Sequence, residues 1–224
     1  MAGYLAGNID KWIYVDIKDQ HKDSMRFIRD IENVIGSEVT VLRSERYETV
    51  EDCVLAFQGF RNPYNQFAPC TNWLKKRVRK QWEQEHAEDD LTYIWGFDLK
   101  ERNRAERTVE SNPQAKHEFP LIDKCLCKEE VHGLFERLFS FKRPAMYEMG
   151  YPNNNCIGCI KGGMGYWNRI RQDFPDVFKS RANLERKVGH SILKECYLDE
   201  LDKDRGNMNT EIFPECGVMC YLAQ

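Results

Sequence analysis

Apolar and polar positions alternate in a readable way along the first half of the chain. "KWIYVDIKDQH" opens with an apolar run, Trp12 to Val15, that ends at Asp16, which predicts a buried strand. In "KDSMRFIRDIENVIG" the apolar residues Met25, Ile28, Ile31 and Ile35 recur at helical spacing, and Gly36 supplies a stop. "EVTVLRSE" predicts a second short strand. "ETVEDCVLAFQG" predicts a short helix ended by Gly59, and "RNPYNQFAPC" a loop. "TNWLKKRVRKQWEQEH" predicts a helix with a basic first half, and "LTYIWGFD" a third strand. Strand, helix, strand, helix, helix, strand is the order of an α/β fold with a mostly parallel sheet flanked by helices.

The pattern weakens in the second half. Leu99 to Lys116 is polar and charged and reads as a loop or short helix beside a strand end. "FPLI" reads as a short extended piece and "CKEEVHGLFERLF" as an amphipathic helix. "KRPAMYEMGYPNNNCIGC" is a long loop, followed by one or two helices from Tyr166 and an irregular tail. Two parts result: residues 1–150 as the α/β portion, and 151–224 as a cysteine-containing helical and irregular segment.

Composition narrows the functional classes. The 224 residues suit one domain or one with an appendage, and 42% hydrophobic content is enough for a sizeable core. Charged residues reach 31% but nearly cancel to −3, so no global field favours nucleic acid or membrane. No apolar run is long enough to span a bilayer, and the first residues lack a basic stretch, so we expect a cytoplasmic protein with no membrane partner. There the nine cysteines serve as thiols, metal ligands or catalytic groups rather than as a disulfide framework.

Cys156 and Cys159 form a Cys-x-x-Cys pair in a loop, a spacing that places two sulfurs on one edge of a zinc or iron–sulfur site. A redox dithiol uses the same spacing. Cys216 and Cys220 form a second pair in the tail, where a metal would give an order that the core does not supply. Cys70 precedes the basic helix, a setting that favours thiolate. Cys53 and Cys196 read as small core residues, and Cys125 and Cys127 as structural residues of an extended segment. Lys161, Gly162 and Gly163 offer a cation and backbone N–H groups to a phosphate, or simply a tight turn. Arg102, Arg104 and Arg107 follow a strand end, where open α/β sheets bind ligands. The basic run Lys75 to Lys80 suits a phosphate, an RNA backbone or a solvated helix face. His21 follows the Asp16 strand end and is placed to enter a site there, while Tyr166 and Trp167 read as core.

Several segments, in order, resemble the phosphoadenosine phosphosulfate (PAPS) reductase family, within the PP-loop, adenine nucleotide alpha hydrolase-like superfamily. "WIYVDIKDQHKDSMRFI" is similar to the family's second strand and helix, with Asp16 at its Asp position. "APCTNWLKKR" resembles the Cys-Cys-x-x-Arg-Lys motif, with Cys70 as the second cysteine and Pro69 where the first would be. "WGFDLKERNRAER" resembles Gly-x-Arg-x-x-Glu-x-x-x-Arg through Gly96, Glu101 and Arg104. "FPLIDKCLCKEEVHGLF" resembles the family's Pro-Leu-Ile segment, and "MYEMGYPNNNCIGC" its Tyr-x-x-Gly-Tyr…Cys-x-x-Cys. "ECGVMC" matches the catalytic Glu-Cys-Gly through Glu215, Cys216 and Gly217.

The resemblance implies sulfur chemistry on an adenylylated or nucleotide-linked substrate, with a thioredoxin-like donor. Asp16, Gly96, Glu101, Arg104 and Lys161 would bind nucleotide or phosphate. Cys216 would be catalytic. Cys70, Cys156 and Cys159 would bind a [4Fe–4S] cluster, with Cys220 as fourth ligand, zinc being the alternative metal. A rival within the resemblance is a tRNA or DNA sulfur-transfer enzyme or subunit, with nucleic acid as partner. The family's Ser-Gly-Gly-x-Asp-Ser phosphate loop has no counterpart; "MAGYLAGN" resembles the end of the helix that would follow it. Without that loop, a catalytically inactive, metal-stapled binding module is a third expectation.

Overall fold

The computed structural model describes residues 1–61 and 68–211. Helix α1 (Ala2–Ala6) leads into strand β1 (Trp12–Val15), helix α2 (Asp23–Ile35) and strand β2 (Val39–Leu42). The apolar stripe of α2 ends where expected, at Gly36, whose φ of 64° is the left-handed conformation that glycine takes without strain. Strands β1 and β2 pair in parallel, Trp12 opposite Val39 and Val15 opposite Leu42. All four residues of β1 are half-buried, so it is less enclosed than its sequence suggests.

Helix α3 (Val50–Phe57) begins with a capping box, Thr49 accepting from the Asp52 N–H, and ends at Gln58 one residue before the expected Gly59. The basic helix is built in three pieces: α4 (Pro69–Thr71), a π-helical turn (Asn72–Lys76) and α5 (Arg77–Glu85). Single π turns inside helices recur at functional sites.

The second strand pair departs from expectation. Strand β3 (Thr92–Ile94) pairs in parallel with β4 (Lys116–Glu118), and "FPLI" is helical, in α7 (Pro120–Asp123). Pro120 sits at the first helical position, where its missing N–H costs nothing. The charged stretch between them is mostly α6 (Arg102–Ser111), entered through a 3₁₀ turn (Leu99–Glu101). The fold is therefore α/β with parallel strands, but among the described residues the strands form two separate pairs instead of one sheet.

Helices α8 (Lys128–Leu138), α9 (Ala145–Glu148), α10 (Met164–Asp173) and α11 (Pro175–Val188) complete the described elements with a 3₁₀ turn (Leu198–Glu200). The region from Tyr166 onward lies in two helices, and Trp167 of α10 is fully buried. Cys125, at φ 53°, lies in the turn before α8, and Cys127 caps that helix, so the pair is not on an extended segment. One large core joins α3, α4, α10 and α11 with residues 146–160. A smaller cluster of Phe97 and Ala105 packs with Trp95, Phe119 and Ile122. No helix among the described residues is long and apolar enough to cross a membrane.

Candidate functional site

The carboxyl end of β1 turns sharply into α2, and this turn is where the cysteine loop docks. Gln20 Oε1 accepts from the Tyr14 hydroxyl at 2.8 Å and from the Ile17 N–H at 3.0 Å, closing the turn. Asp19 ties three elements together. Its backbone oxygen accepts from the Ile157 N–H at 2.8 Å, inside the Cys156–Cys159 loop. One carboxylate oxygen accepts from the Val50 N–H at 2.7 Å, at the start of α3. The other pairs with Arg181 of α11, whose side chain is 4% exposed. A carboxylate at a helix N-terminus also complements the helix dipole.

The Cys-x-x-Cys loop is held from the other side by Tyr166. Its hydroxyl accepts from the Cys159 N–H at 2.9 Å and donates to the Cys156 carbonyl at 3.3 Å. Burial, with the two cysteines beside it, keeps the phenol protonated far above its usual range. Gly158 has φ 67°, and a Cβ there would lie 2.7 Å from Val177 Cγ1, so the loop closes only with glycine. We expect Tyr166→Phe to remove the hydroxyl's bonds to the Cys159 N–H and the Cys156 carbonyl, at a cost of about 1–3 kcal/mol. Urea unfolding of the two proteins measures it; a difference below about 0.5 kcal/mol would show that the hydroxyl does not hold the loop.

Cys70, Cys156 and Cys159 are all buried and belong to the same core cluster. The Tyr14 hydroxyl links the three segments: burial raises its pKa, Ser24 and Lys75 oppose the rise, and Asp16 and Cys156 add to it. Thus the β1 end, the basic helix after Cys70 and the cysteine loop share one neighbourhood. Beside it, Asn154 Oδ1 and Asn155 Nδ2 are buried and have no hydrogen-bond partner among the described residues. Cys53 belongs to the same core cluster: burial pushes its pKa up to about 12, and it remains a core thiol. Cys196 is half-buried in a non-helical segment, packed against the main core.

The thiol donors suit a soft metal or cluster, and the orphaned Asn155 amide is a donor of the kind that hydrogen-bonds cluster sulfur. Among the described residues, however, no group of three or more His, Cys, Asp or Glu is placed to hold a metal ion. Cys216 and Cys220, with Glu215 and Gly217, lie outside the described residues.

The remaining candidates distribute as follows. Asp16 accepts from Arg43 Nε at 2.8 Å at the end of β1. Gly96, Glu101 and Arg104 follow β3, in the connecting segment, the 3₁₀ turn and α6. Arg104 is 8% exposed, pairs with Glu101 and lies 4.3 Å over the Phe97 ring. They do not share a core cluster with the cysteines. Lys161 is half-buried in the turn closed by the Gly162 N–H on the Cys159 carbonyl at 3.0 Å. The backbone N–H groups that open α10 are already engaged: Glu211 accepts from Gly165 at 2.5 Å and from Tyr166 at 3.0 Å. His21 accepts from the Asp23 N–H at 3.1 Å and so caps the approach to α2. The sequence reading missed Asp19, Gln20 and the Tyr166 hydroxyl. Asp19 carried a signal, as a second acidic residue after a strand end, where ligands and helix N-termini gather.

The chain is 23% identical over 181 residues, 78% of its length, to the uncharacterized protein MJ0066 of Methanocaldococcus jannaschii. The match covers 36% of that protein, so the chain spans about a third of its length. No protein-family model matches the chain, and no solved structure does.

Proposed function

We propose that the protein performs PAPS reductase-like sulfur chemistry on an adenylylated substrate, with Cys70, Cys156 and Cys159 as ligands of an iron–sulfur centre and Cys220 as the fourth. The observation that supports this reading is that Cys70, Cys156 and Cys159 are buried in the same core, with the Cys-x-x-Cys loop hydrogen-bonded to Asp19 just after the carboxyl end of a parallel strand. A bound cluster would supply a redox-active, charge-delocalising centre tuned by burial and hydrogen bonds to its sulfurs.

The chain's own residues do the rest. The Cys216 thiolate attacks the sulfur of the phosphosulfate; the new S–S bond forms as the S–O bond breaks, and the nucleotide phosphate leaves with the electron pair. A thiol of a dithiol donor then attacks the Cys216 sulfur, and sulfite leaves with its electron pair. The donor's second thiol releases Cys216, and the donor ends as a disulfide. Asp16, Gly96, Glu101, Arg104 and Lys161 are the proposed nucleotide-binding residues.

Anaerobic protein incubated with PAPS and reduced thioredoxin tests the reading. Sulfite and adenosine 3′,5′-bisphosphate should appear in equal amounts, and Cys216→Ser should abolish both. No turnover, together with no calorimetric binding of the bisphosphate, would sink it in favour of a binding module.

A further inference from the structure

The basic helix has two faces with different surroundings. Cys70, Leu74 and Val78 recur every fourth residue and are buried. Trp73, Lys76, Arg77, Lys80, Gln81 and Gln84 fall at i, i+3, i+4, i+7, i+8 and i+11, the spacing of one continuous stripe. That stripe forms one wall of a groove of about 1300 Å³. The segment after β2, with Ser44 and Arg46, and the end of α6, with Ser111 and Asn112, form the rest.

We propose that this groove binds single-stranded nucleic acid. Its volume exceeds the roughly 300–1,000 Å³ of small-molecule sites, so it has room for more than a mononucleotide. Four cations line it: Arg46, Lys76, Arg77 and Lys80. Of the lining carboxylates Glu45, Glu83 and Glu110, Glu83 is engaged by Arg79 at 2.7 Å. Counted alike, the four cations outnumber the three lining carboxylates, although the whole chain carries −3.

The groove also carries flat surfaces. The guanidinium groups of Arg77 and Arg46 lie 3.8 Å and 4.6 Å from the Trp73 ring centre. Outside the groove lining, Tyr47 meets that ring edge-on at 5.5 Å and Phe57 lies 5.9 Å away, and both back the Trp73 ring. Aromatic and guanidinium planes stack on unpaired bases, while cations track the phosphates. A duplex keeps its bases stacked inside and offers those planes nothing. The inference does not rest on the sulfur chemistry.

Fluorescence anisotropy tests it, with labelled single-stranded RNA and DNA of about 15 nucleotides, the matching duplexes and ATP as competitor, between about 50 and 300 mM salt. The single strands should bind with a log–log salt slope near −3, from about four phosphate contacts. Lys76→Glu/Lys80→Glu should weaken binding at least roughly 30-fold and flatten the slope. Arg77→Lys, which keeps the charge and loses the stacking plane, should weaken it severalfold. Preference between RNA and DNA identifies the natural strand. Absence of binding, equal binding by the charge-reversed variant with an unchanged unfolding midpoint, tighter duplex binding, or displacement by equimolar ATP would each overturn the proposal. None of these outcomes decides whether sulfite is formed.

Discussion

Asp19→Ala should destabilise the protein by about 3–5 kcal/mol, because it strands the Arg181 guanidinium in the core. The Arg181 side chain is 4% exposed and that of Asp19 12%. Arg181 Nε is already buried without a hydrogen-bond partner among the described residues, and its other ion-pair contact, Glu51, is 4.0 Å away and 41% exposed. Little else is at hand to replace Asp19. The Val50 N–H would lose its acceptor in the same step. Asp19→Asn keeps an acceptor for Val50 and should cost less than the alanine change. Asp19→Ala/Arg181→Met removes the orphaned charge and should recover much of the loss. Urea unfolding of the four proteins measures the series. A loss below about 1 kcal/mol in Asp19→Ala would show that the pair does not hold α11 to the end of β1.

The pair was not legible in the sequence, since its partners are 162 positions apart and no local pattern links them. What was legible was local. Trp12–Val15, Asp23–Ile35 and Val39–Leu42 formed as their periodicity predicts, because an apolar run or stripe and a glycine stop act within a few residues. The "FPLI" expectation failed for an equally physical reason. An apolar tetrapeptide suits a strand or a helical turn alike, and Pro120 at the first position decided for the turn. The strand at Lys116–Glu118 has no strand pattern of its own. It forms by pairing with Thr92–Ile94, supported by Trp95 Nε1 donating to His117 Nδ1 at 2.9 Å.

The cysteine site was half legible. The Cys-x-x-Cys spacing marked Cys156 and Cys159 as a pair, and Cys70 stood out before a basic helix. That all three would lie in one buried cluster depends on how α3, α4, α10 and α11 pack, which spacing does not encode. The basic helix shows the converse. Its stripe from Trp73 to Gln84 is plain in the sequence, but the groove exists only because the segment after β2 and the end of α6 stand opposite it.

The largest effect expected of any substitution is at the cysteine loop itself. Cys156→Ser/Cys159→Ser removes two thiolate donors while leaving the Tyr166 hydrogen bonds, which go to backbone atoms, in place. The variant should therefore keep its fold and lose the proposed iron–sulfur centre altogether. Serine is a hard, weakly acidic donor that does not replace a thiolate on iron. A variant that unfolds would instead give the cysteines a packing role, and the unfolding midpoint reports that directly.

The decisive measurement is the ultraviolet–visible spectrum of anaerobically purified protein, with iron, sulfide and zinc content, beside that variant. The account predicts a broad absorption near roughly 400 nm, of the kind iron–sulfur clusters show, with stoichiometric iron and sulfide, both absent from the variant. Colourless protein without iron, or iron retained when Cys156 and Cys159 are both replaced, would contradict it.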